Sequence, residues 1–255
     1  METVPHDSSA FTQGLVIVAS KEDPSNFTLF EGTGLYGQSD MRIVDLKSGE
    51  AMSRTPLASA YFGEGVAYYT TPSGEGRLVQ LTWRERTAFV YDSNLERLSE
   101  FSYRTSNNEG WGITRRDEPG GDSFSFLVTD GSSNLMTWEA ETWREMKRIT
   151  VGYRVEMNNE VGFVSQNRLN ELEWDPHSDT VLANIWFRDR IVRIDPVTGY
   201  IKVDYDMREL YPNRPSSADV LNGIACVPGS PDEYWITGKL WPVMFRVRLF
   251  VEDET

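Results

Sequence analysis

Apolar residues spaced at i, i+3 and i+4 are scarce along this chain, whereas short β-branched and aromatic runs recur between clusters of Gly, Asp, Asn and Pro. That alternation predicts an all-β chain. Five apolar runs open on a polar residue, usually followed by Gly: Gln13-Gly14-Leu15, Glu64-Gly65-Val66, Glu109-Gly110-Trp111, Glu171-Leu172-Glu173 and Asn222-Gly223-Ile224. A second strand is predicted after each, ending in a polar or Gly-containing corner: Phe27 to Gly34, Leu78 to Glu85, Phe124 to Ser132, Val181 to Arg188 and Tyr234 to Trp241. Third strands follow at Met41 to Asp45, Ala88 to Asp92, Leu135 to Trp138 and Ile191 to Asp195, most running into turns rich in Asp, Asn, Gly and Pro, as tight reversals require.

Five copies of roughly 50 residues, each with about four short strands, match the repeat unit of a β-propeller. The pattern predicts one domain over residues 1–255, a five-bladed β-propeller of four-stranded antiparallel blades around a central channel. In the last copy only five residues follow the third strand, Met244 to Phe250. Glu2-Thr3-Val4 is therefore expected to supply its outer strand and close the ring. Ser73 to Gly76 and Asp117 to Asp122 read as insertions at hairpin ends.

Composition narrows the chemistry. With 25 Lys+Arg against 39 Asp+Glu, the net charge of −14 excludes the basic face that nucleic acid binding requires. Apolar runs such as Leu15 to Ala19 fall far short of the ~20 residues of a membrane helix, so no membrane insertion is expected. No signal-peptide pattern opens the chain. One cysteine, Cys226, and two histidines, His6 and His177, leave no intramolecular disulfide and no His-rich zinc site. Neither a metal nor another cofactor is expected, and a closed ring with this charge is most simply a monomer. Cys226 reads as a small buried residue, and His177 as part of a turn.

In a propeller blade the start of the first strand and the end of the second meet at one rim. That geometry gathers Gln13, Glu64, Glu109, Glu171 and Asn222 with Thr33, Trp83, Asp130, Trp186, Lys239 and Trp241 at one mouth of the channel. Burial and mutual repulsion raise the pKa of clustered carboxyls, which suits a general acid or base. Trp83, Trp111 and Trp186 beside them would wall a pocket for a small organic group. Trp138, Trp143, Trp174 and Trp235 read as packing between blades.

The segments Pro5-His6-Asp7, Phe11-Thr12-Gln13-Gly14-Leu15, Glu31-Gly32-Thr33-Gly34, Phe62-Gly63-Glu64-Gly65, Leu81-Thr82-Trp83, Glu109-Gly110-Trp111-Gly112, Leu169-Asn170-Glu171, Asn184-Ile185-Trp186, Leu221-Asn222-Gly223 and Thr237-Gly238-Lys239 together resemble the glutamine cyclotransferase family of the plant and bacterial type. The resemblance runs from about Pro5 to the last strand. It implies a five-bladed propeller that converts N-terminal glutamine of peptides and proteins to pyroglutamate with release of ammonia. It also implies a secreted, periplasmic or secretory-lumen setting. By the same resemblance Glu64 is the proton shuttle, Lys239 and Asn170 position the carboxamide, and Phe11, Gln13, Phe62, Trp83, Trp111 and Trp186 form the pocket. Gly32 and Gly63 depart from the family pattern and bear on substrate range. Two other readings fit the repeat alone. One is a propeller glycosidase using Glu64, Glu109 and Glu171, and the other a non-catalytic binding scaffold. Lys239 with the indoles separates the cyclase from the glycosidase.

Overall fold

Burial along each strand reports its distance from the axis. Second strands such as Thr180–Ile185 are buried at every position, because neighbouring blades cover both faces. Outer strands such as Ile201–Asp206 keep the alternation of a half-buried strand: Lys202, Asp204 and Asp206 face solvent while Ile201, Val203 and Tyr205 turn inward. The computed structural model describes every residue except 21, 24, 25, 119, 121, 122, 158, 159 and 251–255.

Five four-stranded antiparallel sheets form the blades of a β-propeller. Blade 1 contains Thr12–Ala19, Phe27–Thr33, Asp40–Val44 and Ala51–Pro56. Blade 2 contains Gly63–Thr70, Gly76–Thr82, Thr87–Asp92 and Arg97–Ser102. Blade 3 is Ile113–Asp117, Phe124–Val128, Asn134–Glu139 and Glu145–Thr150. Blade 4 is Leu169–Asp175, Thr180–Ile185, Arg190–Ile194 and Ile201–Asp206. Blade 5 joins Leu221–Cys226, Glu233–Gly238 and Val243–Arg248 to Glu2–Pro5. The all-β fold, the blade count and the closing strand agree with the sequence pattern.

The hydrophobic core is divided into five clusters, each shared by two neighbouring blades. Phe30 and Met41 of blade 1 meet Leu78 and Phe89 of blade 2, and Leu15 and Leu29 of blade 1 meet Trp235 and Met244 of blade 5. Burying each such side chain stabilises the fold by about 1.5–3 kcal/mol. Trp138, Trp174 and Trp235 lie in these seams, and Trp143 stacks on Phe101 and Phe126 at 4.3 and 4.8 Å, as expected. Trp241 does not stand at the rim: it is 1% exposed and packs edge-on against Tyr211 between blades 4 and 5.

Two further differences concern blades 3 and 4. The expected first strand at Glu109 begins only at Ile113. Between the blades, a two-stranded hairpin, Gly152–Met157 with Glu160–Ser165, accounts for the longest interval of the repeat. Its second strand is largely exposed, so it carries little of the apolar alternation by which the blades are read. The expected insertion from Asp117 to Asp122 lies partly outside the described residues, and the one at Ser73 to Gly76 forms the turn between the first two strands of blade 2.

Ring closure is reinforced by a buried polar cluster. Thr3 pairs with Phe245 and Val4 with Met244, and His6, directly after the strand, points inward at 6% exposure. Its Nδ1 faces the Trp241 carbonyl oxygen at 2.7 Å and its Nε2 faces Glu31 Oε1 at 3.0 Å. A ring flanked by two acceptors donates from both nitrogens, as the imidazolium does. Burial alone would lower the His6 pKa, but Glu31 outweighs it and the net shift is upward. Glu31 also accepts from Thr12, and its carboxyl is held below the usual range by His6 and Arg42 despite complete burial.

Two outcomes follow. Deleting residues 1–8 removes the closing strand and takes His6 from buried Glu31, a loss of about 3–5 kcal/mol, so the melting temperature falls by roughly 10 °C or more. An unchanged melting temperature would show that the ring closes without this strand. Because the folded pKa of His6 is raised, its contribution is complete below about 6.5 and fades as pH rises through the folded value. Melts of the parent and His6→Asn should therefore differ most in mild acid and converge in alkali, and a pH-independent difference would show that His6 is neutral throughout.

Candidate active site

The side chains at the channel mouth owe their direction to a repeated irregularity. In blade 1, Thr12 pairs with Thr33 and Gly14 with Gly32, leaving Gln13 as an extra residue. The same one-residue excess falls between Gly63 and Val66, Leu169 and Leu172, and Leu221 and Ile224. In blade 3 both Trp111 and Gly112 oppose Thr129, through Trp111 N–H to Thr129 O at 3.1 Å and Thr129 N–H to Gly112 O at 3.0 Å. Such a bulge re-aims a side chain away from the pleat. The equivalent residues are thus Gln13, Glu64, Trp111, Asn170 and Asn222, and all but Asn222 line one cavity. Asn222 supports the ring, donating from Nδ2 to Gln13 Oε1 at 3.2 Å.

This register corrects the sequence reading in two blades. The position after the bulge is Gly14, Gly65 and Gly112 in blades 1 to 3, where a Cβ would overlap the backbone of the next blade. In blade 4 that position is Glu171. Its carboxyl is 1% exposed and reaches two other inner strands, accepting from Leu15 N–H at 3.3 Å and Ile224 N–H at 3.0 Å. Glu109 is likewise absent from the cavity lining. It accepts from the indole N–H groups of Trp83 and Trp111 at 2.9 and 3.0 Å and pairs with Arg84 at 3.0 Å. Of the three carboxyls considered for sugar hydrolysis, only Glu64 faces the cavity.

Corners after the second strands supply the remaining groups. Trp83, Trp186 and Lys239 occupy matching positions, their N–H groups donating to the carbonyls of Phe62, Arg168 and Val220 at 2.9 Å each. Phe62 packs between Phe11, Trp83 and Tyr36 at centroid distances of 6.0, 5.5 and 5.4 Å. On the other wall Trp111 meets Trp186 edge-on at 5.2 Å, and Trp186 leans on Phe187 at 4.2 Å. Gly131, in the left-handed region at φ +76°, lies directly against the Trp111 ring.

The residues that the family resemblance implies for the site, namely Phe11, Gln13, Phe62, Glu64, Trp83, Trp111, Asn170, Trp186 and Lys239, all line this one cavity of about 190 Å³. Phe187 and Asp219 line it as well and were not singled out from the sequence. Their only signals are adjacency to Trp186 and a place two residues before the last inner strand. Thr33 and Asp130 turn instead to local bonds, with Asp40 at 2.8 Å and with Ser106 at 2.5 Å.

Electrostatics single out two groups. Glu64 is 5% exposed and burial pushes its carboxyl well above 4.5; Lys239 draws it back, while Glu109 and Glu85 add to the rise. Lys239 is 4% exposed and its pKa is lowered by burial, partly offset by Glu64 and Asp219. Its Nζ lies 4.7 Å from the centre of the Phe11 ring. Among the described residues neither charge has a protein hydrogen-bond partner, so both are available to a ligand. No group of three or more His, Cys, Asp or Glu among the described residues could hold a metal ion.

A propeller whose mouth presents a buried acid and a buried amine inside an aromatic wall has the layout of a catalytic propeller. The sequence model of the glutamine cyclotransferase family matches residues 1–249. A glutaminyl-peptide cyclotransferase from Arabidopsis thaliana is 36% identical over 250 residues, covering 96% of this chain and 69% of that protein. The crystal structure of Myxococcus xanthus glutaminyl cyclase is similar with a TM-score of 0.77 and 31% identity, across 99% of this chain and 96% of that one. The chain belongs to the glutamine cyclotransferase family and is an enzyme of that type.

Replacing Gly131 by Ala tests how the wall is held. The left-handed backbone and the contact with Trp111 predict a loss of about 1–2 kcal/mol together with a change in tryptophan fluorescence. Retention of both parent values would show that the Trp111 ring is not seated on this corner.

Proposed function

We propose that the protein is a glutaminyl-peptide cyclotransferase that converts N-terminal glutamine of peptides and proteins to pyroglutamate with release of ammonia, without a metal ion. The observation that carries this reading is that Glu64 and Lys239, both buried and both without a hydrogen bond to the described residues, line one aromatic cavity.

The reaction is an intramolecular aminolysis. The substrate α-amine attacks the carbon of its own γ-carboxamide, a C–N bond forms, the bond to the amide nitrogen breaks, and one proton passes from the amine to the departing ammonia. An α-amine has a pKa of about 7.7–8.0, so part of it is already the free nucleophile near neutrality. The enzyme's tasks are to fold the glutaminyl residue into a near-attack geometry, move the proton and steady the oxyanion. Glu64 accepts the amine proton and returns it to the leaving nitrogen; an elevated carboxyl pKa brings donor and acceptor strengths closer together. The Lys239 ammonium and the Asn170 amide donate to the developing oxyanion. Gln13 and the aromatic side chains orient the residue and exclude water. A sugar hydrolase would need a second carboxyl across the bond, and Glu109 and Glu171 are committed to indole and backbone donors.

Incubation with a Gln-initiated dipeptide should release ammonia with the matching 17-dalton mass loss, a mass that follows from the composition of ammonia. Glu64→Gln should lower kcat by about 10²–10⁴, and full activity of that variant would remove Glu64 from the mechanism. The active Glu64 is the ionised form, so activity is lost as pH falls through its folded pKa, and this acid limb should lie above 4.5. EDTA should leave the rate unchanged, and inactivation by the chelator would require an essential ion.

A further inference from the structure

The cavity of about 190 Å³ is smaller than the ~300–1,000 Å³ of ordinary small-molecule pockets and suits one amino-acid residue. The rest of a peptide must leave across the rim. Burial divides the lining residues in two: Phe11, Gln13, Phe62, Glu64, Trp83, Trp111, Asn170, Trp186 and Lys239 are buried or half-buried, whereas Phe187 and Asp219 are exposed. These two therefore stand where the second residue of a bound peptide emerges.

Both are held in place. Phe187 is 56% exposed, adopts φ +60° and leans at a tilt on Trp186. Left-handed backbone at a bulky residue is strained and is kept only where the surroundings enforce it. The matching corner of blade 5 is left-handed at Leu240, where the side chain is half-buried, so blade 4 departs from it in offering an aromatic face to solvent. Asp219 is fixed through its backbone, with N–H to Lys239 O at 2.8 Å and its carbonyl accepting from the Trp241 indole at 2.8 Å. Its Oδ1 accepts from Val220 N–H at 2.8 Å, which leaves Oδ2 for a ligand. Arg84, which follows Trp83 in the chain, is stacked on that ring and paired with Glu109, and Lys239 is buried.

We infer that Phe187 and Asp219 form the subsite for the residue following the N-terminal glutamine and select a cationic side chain there, Lys or Arg, over an acidic one. An exposed ring face and a carboxylate are complementary to a guanidinium or ammonium, and a rim charge acts chiefly on encounter and its salt dependence. The inference rests on the cyclase reading above and assigns Phe187 and Asp219 to substrate selection rather than to chemistry.

The test compares kcat/KM for Gln-Arg, Gln-Ala and Gln-Glu peptides, amidated at the C-terminus, with the parent, Asp219→Asn, Asp219→Lys and Phe187→Ala proteins. The parent should favour Gln-Arg over Gln-Glu by roughly fivefold to tenfold, and the ratio should shrink in high salt. Asp219→Asn should bring it toward unity, Asp219→Lys should reverse it, and Phe187→Ala should reduce it. A ratio within one protein is insensitive to a general loss of activity or stability. Turnover of all three peptides with the same ratio in the parent and both Asp219 variants would overturn the subsite while leaving the cyclase reading intact. No ammonia from any peptide would overturn both.

Discussion

Five inner strands must converge around one narrow axis, and the rest of the molecule follows from how their backbones are made to fit. At Gly14, Gly65 and Gly112 there is no room for a Cβ against the neighbouring blade. The bulge beside each position absorbs the extra residue and throws one side chain into the mouth. One local device, repeated around the ring, thus permits the close approach of the blades and aims side chains into the cavity. Specialisation lies in which residue each blade places on the bulge: amides at Gln13, Asn170 and Asn222, an indole at Trp111 and a single acid at Glu64.

The same crowding explains the electrostatics. Glu64 and Lys239 lie where water is scarce, so burial opposes the charge on each, and each partly restores the charged form of the other. Glu109 ends with a different character because the indoles of Trp83 and Trp111 and the Arg84 guanidinium occupy its oxygens. Of these two glutamates one is left facing the cavity and the other is tied into its wall, a distinction set by burial and hydrogen bonds and not by residue type.

Much of this was legible in the chain, and the parts that were not share a cause. Blade number and the closing role of Glu2–Pro5 follow from strand periodicity and from the missing outer strand. The site residues were reached through family resemblance, and they share one cavity. The phase of the repeat in blade 3 is hidden because Glu109-Gly110 imitates the polar-Gly motif two residues before the bulge at Trp111. In blade 4 the polar pair Asn170-Glu171 conceals which member sits on the bulge. Trp241 looked like a rim residue because only packing against Tyr211 shows that it turns away. The paired strands Gly152–Met157 and Glu160–Ser165 and the exposed pair Phe187 and Asp219 lie outside the core clusters, where burial imposes no pattern to read.

Joining Glu2–Pro5 to Val243–Arg248 also fixes when the site can come into being. These strands lie at opposite ends of the chain, a contact of high sequence separation that forms late and slowly. Until blades 1 and 5 meet, the ring stays open, and Phe11 and Gln13 are not held across from Lys239. Four blades could be complete while the cavity still lacks one wall. Appearance of activity during refolding would then serve as a clock for the final stitch of the ring, separate from the earlier appearance of β-structure.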